Sequence, residues 1–309
     1  MTWLALLVAL AVDRLFGEPR RWHPVVGMGH YLAWAGQRIA PAGPCAARDA
    51  AALRWGAAAW CLGALACAGT GWAVQWAVLR LHPALAVLLL GVALKPLLAW
   101  RMLRDETAAV EAALSVSLEA GRRQLSRLVS RDTSALTADE VRESAIESLA
   151  ENFNDSVVAP LFWFLLLGLP GAALYRFANT ADAMWGYRGM RNGRCWEWAG
   201  KWTARADDVL SWLPARLSAV AMLVGAPPAA WKALPAQAGV TPSPNGGWPM
   251  GAMALRLGVR LGKPGVYVLN AGAPAPGAAH TAAALRCTGR VVGGLGLLAL
   301  VVGTGVVSL

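Results

Sequence analysis

Charge is scarce in this chain, and acidic charge is missing altogether from its last hundred residues. Only 15% of the 309 residues are charged against 57% hydrophobic, and no Asp or Glu follows Asp208. Soluble domains usually carry about 25% charged residues, so this composition points away from a soluble fold. Familiar motifs are absent too: there is no GxxxxGK[ST], no GxGxxG between a strand and a helix, and no GxSxG elbow. The four histidines, His23, His30, His82 and His280, form no HExxH pair. These absences exclude the common ATP-binding loops and leave no HExxH zinc signature or GxSxG nucleophile elbow. Strand signals are few, and neither heptads nor a repeat of solenoid period occurs. The five cysteines, Cys45, Cys61, Cys67, Cys195 and Cys287, make no metal-type CxxC. They read as small core residues, neither disulfides nor ligands.

What is present is apolar length. Mean hydropathy is +0.44, and residues 57–79 and 291–309 contain no charge at all. Each is near the roughly 20 residues that cross a bilayer. Apolar segments fall at 1–12, 55–79, 84–100, 157–174, 209–225 and 288–309, separated by polar stretches 13–54, 101–156, 175–208 and 226–287. The expectation is an all-α, polytopic integral membrane helical bundle forming a single membrane-embedded domain, with polar helical and Pro/Gly-rich loops carrying any active site. Trp55, Trp76, Trp100, Trp185 and Trp212 stand near segment ends, where interfacial aromatic belts form. The first apolar run lacks a basic n-region and reads as a retained membrane-entry helix, not a cleaved signal.

Segments 55–79 and 84–100 form a helical hairpin about His82-Pro83, which returns the chain to its starting side. Thr137-Ala138-Asp139-Glu140 is a candidate capped helix start, and 226–277 reads as loop with one short helix near 250–261. Segment 157–174 carries Pro160 and a Gly168-Leu169-Pro170-Gly171 break. It either crosses the membrane or dips in and returns, the latter requiring protein around its irregular backbone.

The densest acidic feature is "ESAIESLAENFND", with Glu143, Glu147, Glu151 and Asp155 four residues apart. That spacing stacks neighbours on one helical face, where like charges repel, so cations are expected opposite. A solvated charged face and a site for magnesium with substrate phosphates both remain open on spacing alone. Asn179 and Asp182 share a face at i, i+3. Asp207 and Asp208 stand near the start of an apolar helix, a favourable place for acids. Arg216 lies deeper in that apolar run, a functional-site hypothesis at membrane depth or a snorkelling side chain. Asn245 with Gly246-Gly247 offers backbone N–H groups to an anion. The basic balance, with a pI near 10.0, comes without a Lys/Arg run or a nucleic-acid module. Anionic lipid and phosphorylated small molecules are the expected partners, and nucleic acid is not.

Four stretches together, "DRLFGEPRRWHPVVGMGHYL" (13–32), "ESLAENFNDSVVAPLFWFLLLGLPGAALYRFANTADAMWGYR" (147–188), "RADDVLSWLPARL" (205–217) and "SPNGGWPMGAMALRLGVRL" (243–261), resemble the CobD/CbiB family of cobalamin biosynthesis. The resemblance covers about 13–270. Gly17-Glu18-Pro19 stands where the family commonly has Gly-Asp-Pro, and "VLNAGAPAPGAAH" replaces the polar tail expected after Tyr267. It implies an adenosylcobinamide-phosphate synthase of the bacterial inner membrane, with its active site facing the cytoplasm. Such an enzyme joins (R)-1-aminopropan-2-ol or its O-phosphate to a propionate of adenosylcobyric acid, using ATP and Mg²⁺ as a substrate complex, with no permanently bound cofactor. An acyl phosphate is the expected intermediate. On that reading Glu147, Glu151, Asp155 and Asn152 are the catalytic candidates. Asn179, Asp182, Arg205, Arg216, Asn245, Asp13 and His23 are the substrate and phosphate candidates, and Glu151, Asp155, Asp207 and Asp208 are the metal candidates. The resemblance also implies other membrane-associated cobalamin-assembly enzymes as partners. The alternatives are a non-catalytic sensor, related to the ancillary membrane protein of β-lactamase induction, and a transporter. The full set of four motifs favours the enzyme over the first. The lack of inverted repeats argues against the second.

Overall fold

The computed structural model describes residues 1–19 and 23–305. In chain order the helices are α1 (Thr2–Phe16), α2 (Pro24–Ile39), α3 (Ala50–Val78) and α4 (Pro83–Leu94), which runs through a 3-10 turn (Lys95–Leu97) towards α5 (Trp100–Val116). Next come α6 (Leu118–Leu125), α7 (Ala138–Phe153), a π-helical turn (Asn154–Val158), α8 (Ala159–Leu167) and α9 (Leu169–Trp185). A two-stranded hairpin, β1 (Met190–Arg191) and β2 (Arg194–Cys195), precedes α10 (Lys201–Leu223), α11 (Pro228–Ala238) and α12 (Gly247–Leu257). A second hairpin, β3 (Leu261–Lys263) and β4 (Tyr267–Leu269), leads into α13 (Ala278–Gly305). It is an all-α polytopic membrane protein with two small β-hairpins. Residues 306–309 of the last apolar segment lie outside the described residues.

Helix starts follow local chemistry. His23 and Asp49 accept from the second or third amide of α2 and α3, and Pro24 and Pro83 occupy first-turn positions where their missing N–H costs nothing. The expected capping box is formed in full, with the Thr137 side chain on the Glu140 amide and the Glu140 carboxylate on the Thr137 amide. By length and composition, Ala50–Val78, Pro83–Val116 and Ala278–Gly305 can cross a membrane. Among the described residues, segments 1–12, 157–174 and 209–225 give no helix of that kind. Residues 157–174 divide at Gly168, whose φ of 71° belongs to the region glycine enters freely. The nine-residue α8 and α9 then pack on each other, with Gly171 against the Trp163 carbonyl. The segment is broken, as its Pro and Gly foretold.

The chain forms two compact units. The first holds Met1–Ala99, Ala159–Ser211 and Ala299 onwards. In it α1 packs on α4 so closely that a Cβ at Gly91 would fall 2.7 Å from the Ala5 carbonyl oxygen. α3 packs on α9 around Tyr31, Trp60 and Phe177, with ring centroids 6.1–6.2 Å apart. Trp100, in the second unit, and Trp185 are buried core residues, not interfacial ones; Trp185 donates to the Leu32 carbonyl at 3.1 Å. Trp55, Trp76 and Trp212 are exposed. Cys45 and Cys195 are disulfide-bonded, which corrects the reading of all five cysteines as unpaired core residues. A bridge between Ala42 and Arg194 and the Cys195 amide on the Pro41 carbonyl bring together positions separated by 150 residues.

The second unit holds Trp100–Val158 and Trp212–Leu298. Val110, Leu125, Leu136, Val141 and Ala145 form its hydrophobic cluster between α5, α6 and α7. α7 also packs against α12 and β3. The stretch 226–277 is more ordered than the single short helix expected, because "PAAWKALPAQA" forms α11 behind Pro227 and packs on α12.

Candidate functional site

Glu143, Glu147 and Glu151 of the acidic ladder lie on α7, and their cations come from distant parts of the chain in the same unit. Arg260 binds Glu143 at 2.9 Å. Arg131 binds Glu147 at 3.2 Å, and the Tyr267 hydroxyl donates to the other Glu147 oxygen. Arg142, the compensating residue nearest in sequence, is taken instead by Glu111 in a two-pronged pair at 2.9 and 3.0 Å. Glu151 makes no hydrogen bond or ion pair among the described residues. The four-residue spacing therefore gives three chemically different carboxylates.

Glu147, Glu151 and Asn152 line a polar cavity of about 340 Å³ with Arg131, Lys263 and Tyr267. Lys263 and Tyr267 are register partners on β3 and β4, so the hairpin presents both on one face. Ser130, Ser148, Thr241 and Ser243 add hydroxyls to the wall. Asn152 donates to the Ser148 carbonyl and hydroxyl at 2.9 and 3.0 Å, which fixes its amide at the rim. Burial raises the Glu143 and Glu147 carboxyls, with Arg260 and Arg131 respectively opposing the shift. Glu151 is pushed up to about 8, first by burial and then by Asp155 and Glu147, with Lys263 and Arg131 only partly offsetting them. A carboxyl of that kind takes and gives protons near neutrality.

Asp155 does not line the cavity. It sits in the π-helical turn, accepting from the Asn154 amide at 2.8 Å, while Asn154 itself accepts from Ser218 at 2.9 Å. Such wide turns are frequent at functional sites, and here one ends the ladder. Arg216 and Asn245 are brought together, at 3.1 Å, with the guanidinium between the rings of Trp212 and Trp248. The Asn245 and Gly246 amides both point at the Ser243 hydroxyl. These two N–H groups are therefore used internally, which corrects the nest reading for Asn245 and Gly246. The 241–247 loop meets the cavity through Thr241, Pro242 and Ser243.

The remaining candidates belong to the first unit. Asn179 and Asp182 lie on α9, where Asn179 accepts from Arg176 at 3.4 Å. Arg205 is exposed on α10. Asp207 and Asp208 are the seventh and eighth residues of α10, beyond the first turn where the helix dipole favours acids; their expected N-terminal placement is corrected. Burial raises the Asp208 carboxyl, with Arg188 opposing the shift. Asp13 and His23 acquire a setting that sequence did not show. Lys95, buried, lies 3.3 Å from Asp13 and 2.9 Å from Glu18, and His23 lies 2.7 Å from the other Glu18 oxygen. A larger apolar cavity in this unit, of about 460 Å³, is lined by none of the candidates. Among the described residues no group of three or more His, Cys, Asp or Glu is arranged to hold a metal ion.

Sequence reading missed Arg131, Lys263, Tyr267 and Lys95. The first three carry no spacing signal, because they meet the ladder only through tertiary contacts. Lys95 did carry one: it is a lone charge in "GVALKPLLAW", the feature that singled out Arg216.

A family model described as CobD/Cbib protein matches residues 6–291. A probable cobalamin biosynthesis protein CobD of Methanothermobacter thermautotrophicus is 38% identical over 276 residues, covering 86% of each chain. A cobalamin biosynthesis protein CobD of Chromobacterium violaceum is 41% identical over 268 residues, covering 84% of this chain and 81% of its own. A probable cobalamin biosynthesis protein CobD of Pyrococcus furiosus is 35% identical over 266 residues, covering 85% and 86%. No solved structure matches.

Proposed function

The chain belongs to the CobD/CbiB family and works in cobalamin biosynthesis, and we propose that it is the ATP-dependent synthase of the corrin side-chain amide. Its substrates on this reading are adenosylcobyric acid, ATP with its magnesium ion, and (R)-1-aminopropan-2-ol or its O-phosphate. The product is adenosylcobinamide or its phosphate. The carrying observation is the cavity in which Glu151, without an ionic partner, stands beside Arg131 and Lys263.

A carboxylate is a poor acyl donor, so a corrin propionate oxygen first attacks the γ-phosphorus of ATP and ADP leaves. The acyl phosphate keeps the γ-phosphoryl group. Arg131 and Lys263 supply the positive charge that phosphoryl transfer requires around the equatorial oxygens. Magnesium enters with the nucleotide, for which one or two carboxylates beside the phosphates suffice. The Asn152 amide oxygen on the cavity wall would meet that ion, which leaves the Glu151 carboxyl to the second step. The free amine then attacks the carbonyl carbon, the C–N bond forms, the C–O bond to phosphate breaks, and inorganic phosphate departs. Glu151 accepts the proton released by the attacking nitrogen, a role suited to a group that titrates near neutral pH. Arg131 and Tyr267 hold Glu147 in place on the wall.

Nucleotide and corrinoid are cytoplasmic, so the cavity of the second unit faces the cytoplasm from the inner membrane. The deciding experiment is Glu151→Gln in purified, folded protein. Amide formation stops, whereas ADP release continues and hydroxylamine traps the acyl phosphate. Normal amide turnover by this variant sinks the assignment of Glu151.

A further inference from the structure

The basic, acid-free C-terminal third of the chain contains a second feature that the amide chemistry does not use. In the second unit a groove of about 360 Å³ lies along α13, lined by Met222 and Val224 on one side and by Val291, Leu295 and Leu298 on the other. The α13 residues fall at i, i+4 and i+7, one continuous apolar stripe. Arg256 and Arg290 also line the groove, and both lie close enough to act electrostatically on the Cys287 thiol. Arg256 gives one N–H to the Val224 carbonyl at 2.6 Å. Among the described residues neither guanidinium has a carboxylate partner, and no acid follows Asp208 to provide one.

The order along α13 matters. The helix is long and apolar enough to cross a membrane, and Arg290 is its last charged residue. From Val291 to Gly305 the chain is uncharged for 15 residues, about 22 Å of helix at 1.5 Å per residue. Leu297, Leu298, Leu300 and Val301 are exposed on that run, as lipid-facing residues should be. The two arginines thus stand at the mouth of an apolar groove, at the end of the uncharged run of a helix able to cross a membrane. Basic pockets of this form between membrane helices complement phosphate headgroups, and guanidinium groups bind phosphate through paired N–H donors.

We propose that this groove binds one anionic membrane phospholipid, with its phosphate on Arg256 and Arg290 and an acyl chain along Val291, Leu295 and Leu298. The site is separate in residues from the amide-forming cavity and does not depend on that reading.

The test uses full-length protein incorporated into vesicles of equal phosphatidylglycerol and phosphatidylcholine, extracted gently and read by native mass spectrometry for retained lipid. Wild type retains phosphatidylglycerol preferentially. Arg256→Gln combined with Arg290→Gln lowers that preference by about 30-fold, each arginine beside an anionic headgroup accounting for roughly fivefold. Arg286→Gln, exposed on the same helix outside the groove, leaves it unchanged. Gly294→Phe keeps both charges but fills the groove, since nothing stands within 4 Å of a Cβ there, and it lowers retention as well. That variant carries the test if the double variant does not fold. Equal retention of both lipids by wild type, retention undiminished in the variants, or displacement by excess inorganic phosphate alone overturns the proposal.

Discussion

Replacing Glu151 by glutamine should make the protein more stable at alkaline pH while leaving its stability near pH 4 little changed. The carboxyl titrates at about 8 in the folded chain against 4.5 for an ordinary glutamic acid. A raised carboxyl means that the folded state keeps a proton which the unfolded chain releases. The folded state therefore loses stability as pH rises above the unfolded value, and the loss levels off above the folded one. Over about pH 6 to 9 those two values imply a loss of roughly 2–3 kcal/mol for wild type. Glu151 is half-buried and its cavity admits solvent, which screens part of this, so a range of about 1–3 kcal/mol is the working expectation. Glutamine has no charge to desolvate and keeps nearly the same shape. The gap in melting temperature between Glu151→Gln and wild type should thus widen by several degrees from about pH 6 to 9, at roughly 2–4 °C per kcal/mol. Thermal unfolding of the detergent-purified proteins in matched buffers reads it directly. A gap that stays constant across that range would refute the reasoning, because Glu151 would then titrate as an ordinary carboxyl.

Three other substitutions probe the rest of the molecule. Tyr267→Phe removes one donor from Glu147, a bond to a charged group worth about 1.5–3 kcal/mol; at roughly 2–4 °C per kcal/mol the melting temperature falls by several degrees, and an unchanged calorimetric melting curve would show that the bond contributes nothing. Lys95→Met removes the buried ammonium 3.3 Å from Asp13 and 2.9 Å from Glu18, and breaking such a buried pair costs roughly 3–5 kcal/mol; adding Asp13→Leu recovers part of the lost folded yield, measured by size-exclusion of the extracted protein. Ser134→Cys places a thiol on an exposed loop of the second unit, and a membrane-impermeant maleimide should label it in inside-out vesicles and spare it in right-side-out ones.

The legible parts of this molecule were those written in short-range order. Thr137 and Glu140 announce their capping box three residues apart, and the Gly168-Pro170 break announces the end of α8. The ladder itself is readable from its spacing, which also demands cations opposite it. Which cations answer is not readable, because Arg260 reaches Glu143 across 117 residues and Tyr267 reaches Glu147 across 120. Cys45 and Cys195 escape for the same reason: nothing in the local sequence of either thiol points to the other. Asp207 and Asp208 mislead differently. "KWTARA" before them has the polarity of a loop, yet it forms the first turns of α10 and moves both acids away from the helix end. Asn-Gly-Gly at 245–247 is a turn signal that suggests anion-binding amides, but Ser243, two residues before Asn245, captures the Asn245 and Gly246 N–H groups.

The assigned reaction is tested most directly by one reconstitution. Protein purified into lipid is supplied with ATP, magnesium, adenosylcobyric acid and aminopropanol phosphate, and the corrinoid is weighed by mass spectrometry. The expected product is heavier by one condensed aminopropanol phosphate, forms with one ADP per amide, and is absent when Glu151→Gln replaces wild type. A corrinoid of unchanged mass from folded wild-type protein, with every substrate present, would contradict it.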